Sequence, residues 1–306
     1  MRDAATVLEI IRERGKSGLP LERVYRCLFN RDLFLLAYGK IYRNAGAMTP
    51  GITRETVDGT SLDKIETIIG VLRQERYRWT PARRTYIEKK ASKKKRPLGL
   101  PTWSDKLVQE VLRLILDAYY EPQFSDRSHG FRPGRGCHTA LLEVYHQWRG
   151  TVWFVEGDIT DCFGSLDHQV MRSILAEKIH DGRFLRLIDG LLQAGYLEDW
   201  RYHATLSGCP QGGIVSPILS NIYLDRLDQY IEQTLLPAHN RGARRTPYRP
   251  YMRLWQRAYR LEQRGDRDGG QSLRQQMKTM PSRDPNDPGY RRLHYCRYAD
   301  DWLLGC

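Results

Sequence analysis

Residues 294–304 read HYCRYADDWLL, two short apolar or aromatic runs around Ala299-Asp300-Asp301. That is the pattern of a β-hairpin whose tight turn carries carboxylates. Adjacent aspartates on a turn repel each other, and divalent cations are the usual compensation where phosphoryl groups are transferred. Such a site needs a carboxylate from a second strand, because two ions about 3.5 to 4 Å apart must serve both the attacking hydroxyl and the leaving oxygen. The run TVWFVEGDI at 151–159 supplies one. It is β-branched, aromatic and too short for a helix, so it reads as a buried strand that delivers Asp158 to its C-terminal end. Asp158 and Asp300 are the expected bridging pair, with Asp301 on the opposite side as the less direct member.

Outward from this centre the chain alternates helices and turns. Ser61 to Arg78 carries Ile65, Ile68, Ile69 and Leu72 at helical spacing, and Lys106 to Tyr119 places Leu107, Val111, Leu114 and Ile115 on one face. The glycine- and arginine-rich loop 125–137 leads into a helix through Leu141, Leu142 and Tyr145, and 166–179 reads as a helix with Val170, Ile174, Leu175 and Ile179 inward. Residues 201–207 read as an edge strand. In CPQGGIVSP, from 209 on, Gly212 and Gly213 permit a tight turn, and Ser216-Pro217 starts a helix through Ile218, Ile222, Leu227 and Ile231. Residues 237–292 differ in kind, being rich in Arg, Gln, Gly and Pro with one helical stretch near 252–263, and read as a basic insertion.

Charge follows the same division. The chain has 306 residues and a formal net charge of +13, with +11 in residues 1–100, −6 in 101–236 and +10 in 237–297. Basic flanks around an acidic middle fit an enzyme that holds phosphate backbone at its ends and metal at its centre. The densest stretch, RRTYIEKKASKKKR at 83–96, has eight basic residues of fourteen. Thr85 to Ile87 reads as a strand, Ala91 to Lys93 as a turn and 96–101 as an extended exit, so a basic hairpin is expected to clamp phosphates through Arg83, Arg84, Lys93, Lys94 and Lys95. Arg132 and Arg135 in the glycine-rich loop are further candidates for RNA contact.

The composition excludes other classes. Six scattered cysteines form neither a zinc motif nor a disulfide framework and read as buried thiols. No apolar run approaches the ~18 residues of a membrane span, and the N-terminal residues lack the features of a secretory signal, so an intracellular, cytoplasmic protein is expected.

A Tyr-x-Asp-Asp tetrapeptide alone arises by chance in about a few per cent of chains this long. Its order with the other motifs is far more specific. The TPG turn at 49–51, YIEKK and KKRPLGLPT within 86–102, SHGFRPGRGCHTAL at 128–141, FVEGDITDCF at 154–163, GCPQGGIVSPILSNIYLDRLD at 208–228 and YADD at 298–301 together resemble the group II intron-encoded reverse transcriptase/maturase family. The resemblance implies an α/β (α+β) right-hand polymerase fold with an antiparallel palm sheet and packed helices. Its parts would be a helical N-terminal extension (1–80), fingers (81–150) and a palm (151–306) holding the insertion 237–292. It implies that Asp158, Asp300 and Asp301 hold Mg²⁺, or Mn²⁺ in its place. Lys89 and Arg96 would reach the incoming triphosphate, Pro210, Gln211 and Gly212 would line the nascent base pair, and Ile159 and Phe163 would belong to the nucleotide site, with Phe163 as the aromatic wall that excludes a ribose 2′-hydroxyl. The implied partners are intron RNA, an RNA template, a DNA primer and deoxynucleotides, with no membrane.

Two departures from the family are visible. Gly164-Ser165 replaces a more polar pair, and the chain ends five residues after Asp301, before the rest of the palm and the thumb. A fingers-and-palm portion is therefore expected, with sheet edges that lead to an expected homodimer. Two rivals remain open: a non-enzymatic maturase module that binds RNA, and a bacterial reverse transcriptase of the defence or diversity-generating type.

Overall fold

In the computed structural model, residues 2–88, 95–209 and 212–306 are described. They form two compact units and combine helices with two sheets, an α+β architecture. The first unit comprises Met1–Leu142, Gly157–Asp228 and Arg297–Trp302. Its axis is the helix Trp103–Tyr120, of which fifteen of eighteen residues are buried, so the one-sided stripe expected there becomes a helix enclosed on nearly every face. Thr102 caps it, its hydroxyl donating to Asp105 Oδ2 at 2.7 Å while accepting the Asp105 N–H at 3.3 Å. The helix Ala4–Lys16 approaches so closely that a Cβ on Gly15 would lie 2.1 Å from the Tyr119 carbonyl oxygen. The buried Lys106 ammonium donates to the carbonyls of Gly46 and Thr49 at 2.9 and 2.8 Å, tying the TPG turn to this axis.

Seven strands occur among the described residues: β1 (Ala82–Glu88), β2 (Lys95–Leu100), β3 (Phe154–Asp158), β4 (Tyr196–Glu198), β5 (Arg201–His203), β6 (His294–Tyr298) and β7 (Asp301–Gly305). One sheet has the order β2-β1-β4-β5; β1 and β2 are antiparallel from Arg83 opposite Leu100 to Glu88 opposite Lys95, and β1 runs parallel to β4. The basic hairpin thus exists in both its arms, while the turn expected at 91–93 lies outside the described residues. The edge strand expected over 201–207 stops at His203.

The second sheet has the order β3-β7-β6. Trp153 and Cys306 exchange backbone hydrogen bonds at 2.9 and 3.0 Å, and Ile159 N–H reaches the Asp300 carbonyl at 3.4 Å, so β3 and β7 are antiparallel. The expected burial of β3 does not hold: it is an edge strand, and Val152, Trp153, Phe154 and Val155 are exposed. The helix Cys137–Gln147 likewise buries only Ala140 and leaves Leu141, Leu142 and Tyr145 exposed. An apolar pattern shows which face is able to pack, and nothing in the local sequence states whether a partner lies over it.

The second unit comprises Glu143–Glu156, Gln229–Cys296 and Leu303–Cys306. Within it the helix Arg249–Gln263 is followed by a second one, Arg267–Met277, which sequence reading missed because Gly269 and Gly270 weaken helix propensity by about 1 kcal/mol each. Its reason is contact: a Cβ on Gly270 would fall 2.6 Å from Glu262 Cγ, and Arg274 clasps both Glu262 oxygens at 2.5 and 2.7 Å. All six cysteines are free, but only Cys162, Cys209 and Cys296 are buried, and Cys137 and Cys306 are exposed. Among the described residues no helix is long and apolar enough to cross a membrane.

Candidate active site

The carboxylate hairpin turns at Ala299, whose φ of +58° is uncommon for a residue with a Cβ. A buried network holds it there. Arg297, fully buried on β6, donates in bidentate fashion to Asp228 at 2.8 and 2.6 Å, to Ser128 Oγ at 2.8 Å and to the Ala299 carbonyl at 2.7 Å. Asn221 accepts a longer bond from Arg297 at 3.3 Å and donates to the Gly130 carbonyl at 2.9 Å. Gly130 has no room for a side chain, since its Cβ would stand 2.2 Å from Ala299 N. The loop SHGFRPGRG is therefore built against the hairpin, with the His129 N–H on the Arg297 carbonyl at 2.9 Å. Sequence reading missed Arg297, Asp228, Asn221 and Gly130. The only available signal was a charged residue in the middle of an apolar strand beside the aspartates.

Asp158 and Asp300 line one cleft of about 810 Å³ together with Arg84, Arg96, Ile159 and Phe163. The half-buried Phe163 ring meets Phe131 edge to face at 6.0 Å. Its turn is strapped down: the Gly208 N–H donates to the Leu166 carbonyl and the Cys209 N–H to the Phe163 carbonyl, both at 2.7 Å. Gly208 adopts φ +87°, and a Cβ there would sit 2.6 Å from the Phe163 carbonyl oxygen. Gly212, at φ +96°, would bring a Cβ to 2.4 Å from the Gly99 carbonyl oxygen. The RPLG strand and the turn after Cys209, more than a hundred residues apart in the chain, thus meet at one wall; Pro210 and Gln211 themselves lie outside the described residues.

The electrostatics join the three aspartates. The Asp301 carboxyl is held above its ordinary range, first by partial desolvation and then by the charges of Asp300 and Asp158. A set of oxygen donors that repel one another fits a hard divalent cation. Burial, joined by the charges of Asp300 and Asp161, also pushes up the Cys162 thiol, which suits an inert packing residue and not a nucleophile.

The basic candidates divide. Arg96 lines the cleft, as do Lys95 and Arg84, whose guanidinium stacks 3.5 Å from the Tyr196 ring centroid. Arg83 donates to the carbonyls of Pro50 and Gly51 at 2.9 and 3.1 Å. Arg132 is buried, paired with Glu121 at 3.0 Å and bonded to the Ser125 and Ser128 carbonyls, while Arg135 is paired with Asp126. These last three meet the protein itself. Lys89, Lys93 and Lys94 lie outside the described residues.

Carboxylates from two strand ends, an aromatic floor and a basic hairpin in one cleft define a class, and comparison with known proteins names it. Residues 87–306 match the family described as reverse transcriptase (RNA-dependent DNA polymerase), and the chain belongs to that family, whose members generally use divalent metal ions. The group II intron-encoded protein LtrA of Lactococcus lactis subsp. cremoris is 41% identical over 314 residues, covering 99% of this chain and 52% of LtrA. An uncharacterized 91 kDa protein in the cob intron of Schizosaccharomyces pombe is 43% identical over 279 residues, covering 90% of this chain and 34% of its own length. Protein YkfC of Escherichia coli K12 is 31% identical over 298 residues, covering 94% of this chain and 71% of YkfC. The chain spans about half the length of LtrA.

Proposed function

We propose that this chain is the nucleotidyl-transfer portion of a group II intron-encoded reverse transcriptase, which copies RNA into DNA from a primer 3′-hydroxyl and takes intron RNA as its specific partner in the cytoplasm. The observation that carries this reading is that Asp158, at the end of β3, and Asp300, in the β6–β7 turn, line one cleft with Phe163 and Arg96. Asp158, Asp300 and Asp301 are the residues to hold Mg²⁺, which when bound lowers the pKa of the attacking hydroxyl and offsets charge on the phosphates. Arg96, with Lys89, would orient the triphosphate and balance the charge that develops as pyrophosphate leaves. Phe163 and Ile159 would form the floor under the sugar, where an added 2′-hydroxyl collides with the ring. Pro210, Gln211 and Gly212 would face the nascent base pair. Lys93, Lys94 and Lys95 would follow the template backbone. The engagements of Arg83, Arg132 and Arg135 with the protein itself support an architectural task for those three.

Primer extension on an RNA template tests the reading in the protein that carries this chain. Asp300→Ala is expected to abolish extension while RNA binding persists. Extension at an undiminished rate would sink the assignment. Phe163→Ala is expected to admit ribonucleotides, and continued rejection of them would remove Phe163 from the sugar site.

A further inference from the structure

Within the second unit a cleft of about 590 Å³ is lined by six arginines: Arg149, Arg244, Arg245, Arg283, Arg291 and Arg292. No aspartate or glutamate side chain is among its lining residues. Three of these side chains are oriented by backbone carbonyls. Arg291 Nε donates to His239 at 2.8 Å, Arg292 to Arg241 and Gly242 at 3.0 and 2.5 Å, and Arg283 to Arg245 at 3.3 Å. A carbonyl fixes a guanidinium without cancelling its charge. Among the described residues none of the six forms an ion pair within 4 Å. Asp287 feels Arg245, but its oxygens accept the N–H groups of Thr246 and Gly289 at 2.6 and 2.8 Å.

The half-buried Tyr290 ring carries the guanidiniums of Arg245 and Arg292 at 5.3 and 4.8 Å from its centroid. The positive field is felt inside the unit: His239 is pulled below its ordinary range by burial and then by Arg291 and Arg241. Gathering like charges in a concave wall is unfavourable without a counter-charge, and a phosphodiester backbone supplies one repeating at the right scale. A cleft of this volume admits a group about the size of a nucleotide.

We infer that this arginine cleft is a second nucleic-acid site, which binds the phosphodiester backbone of RNA through residues the polymerase cleft does not use. The inference rests on the reading that the chain works on RNA, and adds where a second stretch of that RNA is held. Anisotropy of a labelled single-stranded RNA, titrated with salt in the presence of a chelator and without nucleotides, tests it on the whole chain. The triple variant Arg149→Gln, Arg244→Gln, Arg245→Gln is expected to weaken binding about tenfold and to lower the slope of log K against log salt by about 2, at ~0.7 per phosphate contact. A charge-matched triple on an exposed helix and its end, Arg253→Gln, Arg257→Gln, Arg264→Gln, is expected to change both far less. Equal losses from the two triples, or none from the cleft triple, overturn the inference.

Should the cleft triple fail to melt cooperatively, arginine modification of the unaltered chain by phenylglyoxal replaces it. RNA must then protect Arg244 and Arg245 more than Arg253, and equal modification overturns the site. Binding of phosphatidylserine vesicles that depends on the cleft, with RNA binding unchanged, would assign it to lipid and also overturn the inference. Primer extension is scored separately: its absence beside a cleft-dependent RNA affinity would fail the polymerase reading and leave this site standing.

Discussion

Arg297 is fully buried and charged, and the structure allows that only because Asp228, also fully buried, meets it with both oxygens. Removing one partner strands the other: Asp228→Asn is expected to lower stability by about 3 to 5 kcal/mol in urea unfolding. Replacing the pair, Arg297→Met with Asp228→Leu, is expected to recover much of that stability yet not primer extension, because the Ala299 carbonyl loses its donor. Recovery of both would show that the pair does not hold the turn. Asp117 is a half-buried acid, pushed up to about 6 by partial burial, with Arg113 opposing the shift and Glu110 and Glu121 adding to it. A carboxyl raised in this way binds its proton more tightly folded than unfolded, where it titrates near ~3.9. Its ionised form therefore detracts from stability above about pH 6, and that penalty is relieved as pH falls. Asp117→Asn should raise the melting midpoint by a few degrees at ~pH 7.5, and the gain should fade toward ~pH 5. A gain independent of pH would assign the effect to packing.

At the scale of elements, the active cleft is assembled by close backbone approaches. The loop SHGFRPGRG offers a contrast within one segment. A Cβ at Gly130 would overlap Ala299 N at 2.2 Å, whereas nothing lies within 4 Å of one at Gly136, whose φ is unremarkable. Gly130→Ala is expected to displace the carboxylate turn, cost about 1 to 3 kcal/mol and reduce extension more than tenfold, while Gly136→Ala leaves both within error. Comparable behaviour of the two variants would mean that the loop does not position the hairpin. Gly212 against the Gly99 carbonyl of β2 is the same device, and the close approach requires glycine at 212.

At the scale of the whole molecule, the insertion has a natural seam. Arg241 and Arg291 exchange backbone hydrogen bonds at 2.9 and 3.1 Å, so the chain leaves and returns at one point. Replacing residues 242–290 by an Asn-Gly turn should preserve cooperative melting of the first unit within a few degrees, remove the signal of the helices Arg249–Gln263 and Arg267–Met277, and weaken RNA binding. Loss of cooperative melting would show that the first unit depends on the insertion.

What the sequence determined by itself is what short-range chemistry decides. The hairpin at Ala299-Asp300-Asp301, the strand that ends at Asp158, the basic arms at 82–88 and 95–100 and the order of the motifs were all legible, because each depends on neighbours a few residues away. Only the tertiary structure decided which side chains meet. Asp228 is 69 residues from Arg297 and Ser128 is 169, so no local pattern announces the clamp on the turn. Shorter separations hid the tasks of Arg83, 33 and 32 residues from Pro50 and Gly51, and of Arg132, 11 residues from Glu121, whose charges looked available for RNA until those partners were found beside them. Burial of β3 and of the helix Cys137–Gln147 was misjudged for a related reason: an apolar stripe records a capacity to pack, and only the folded chain shows what, if anything, lies against it.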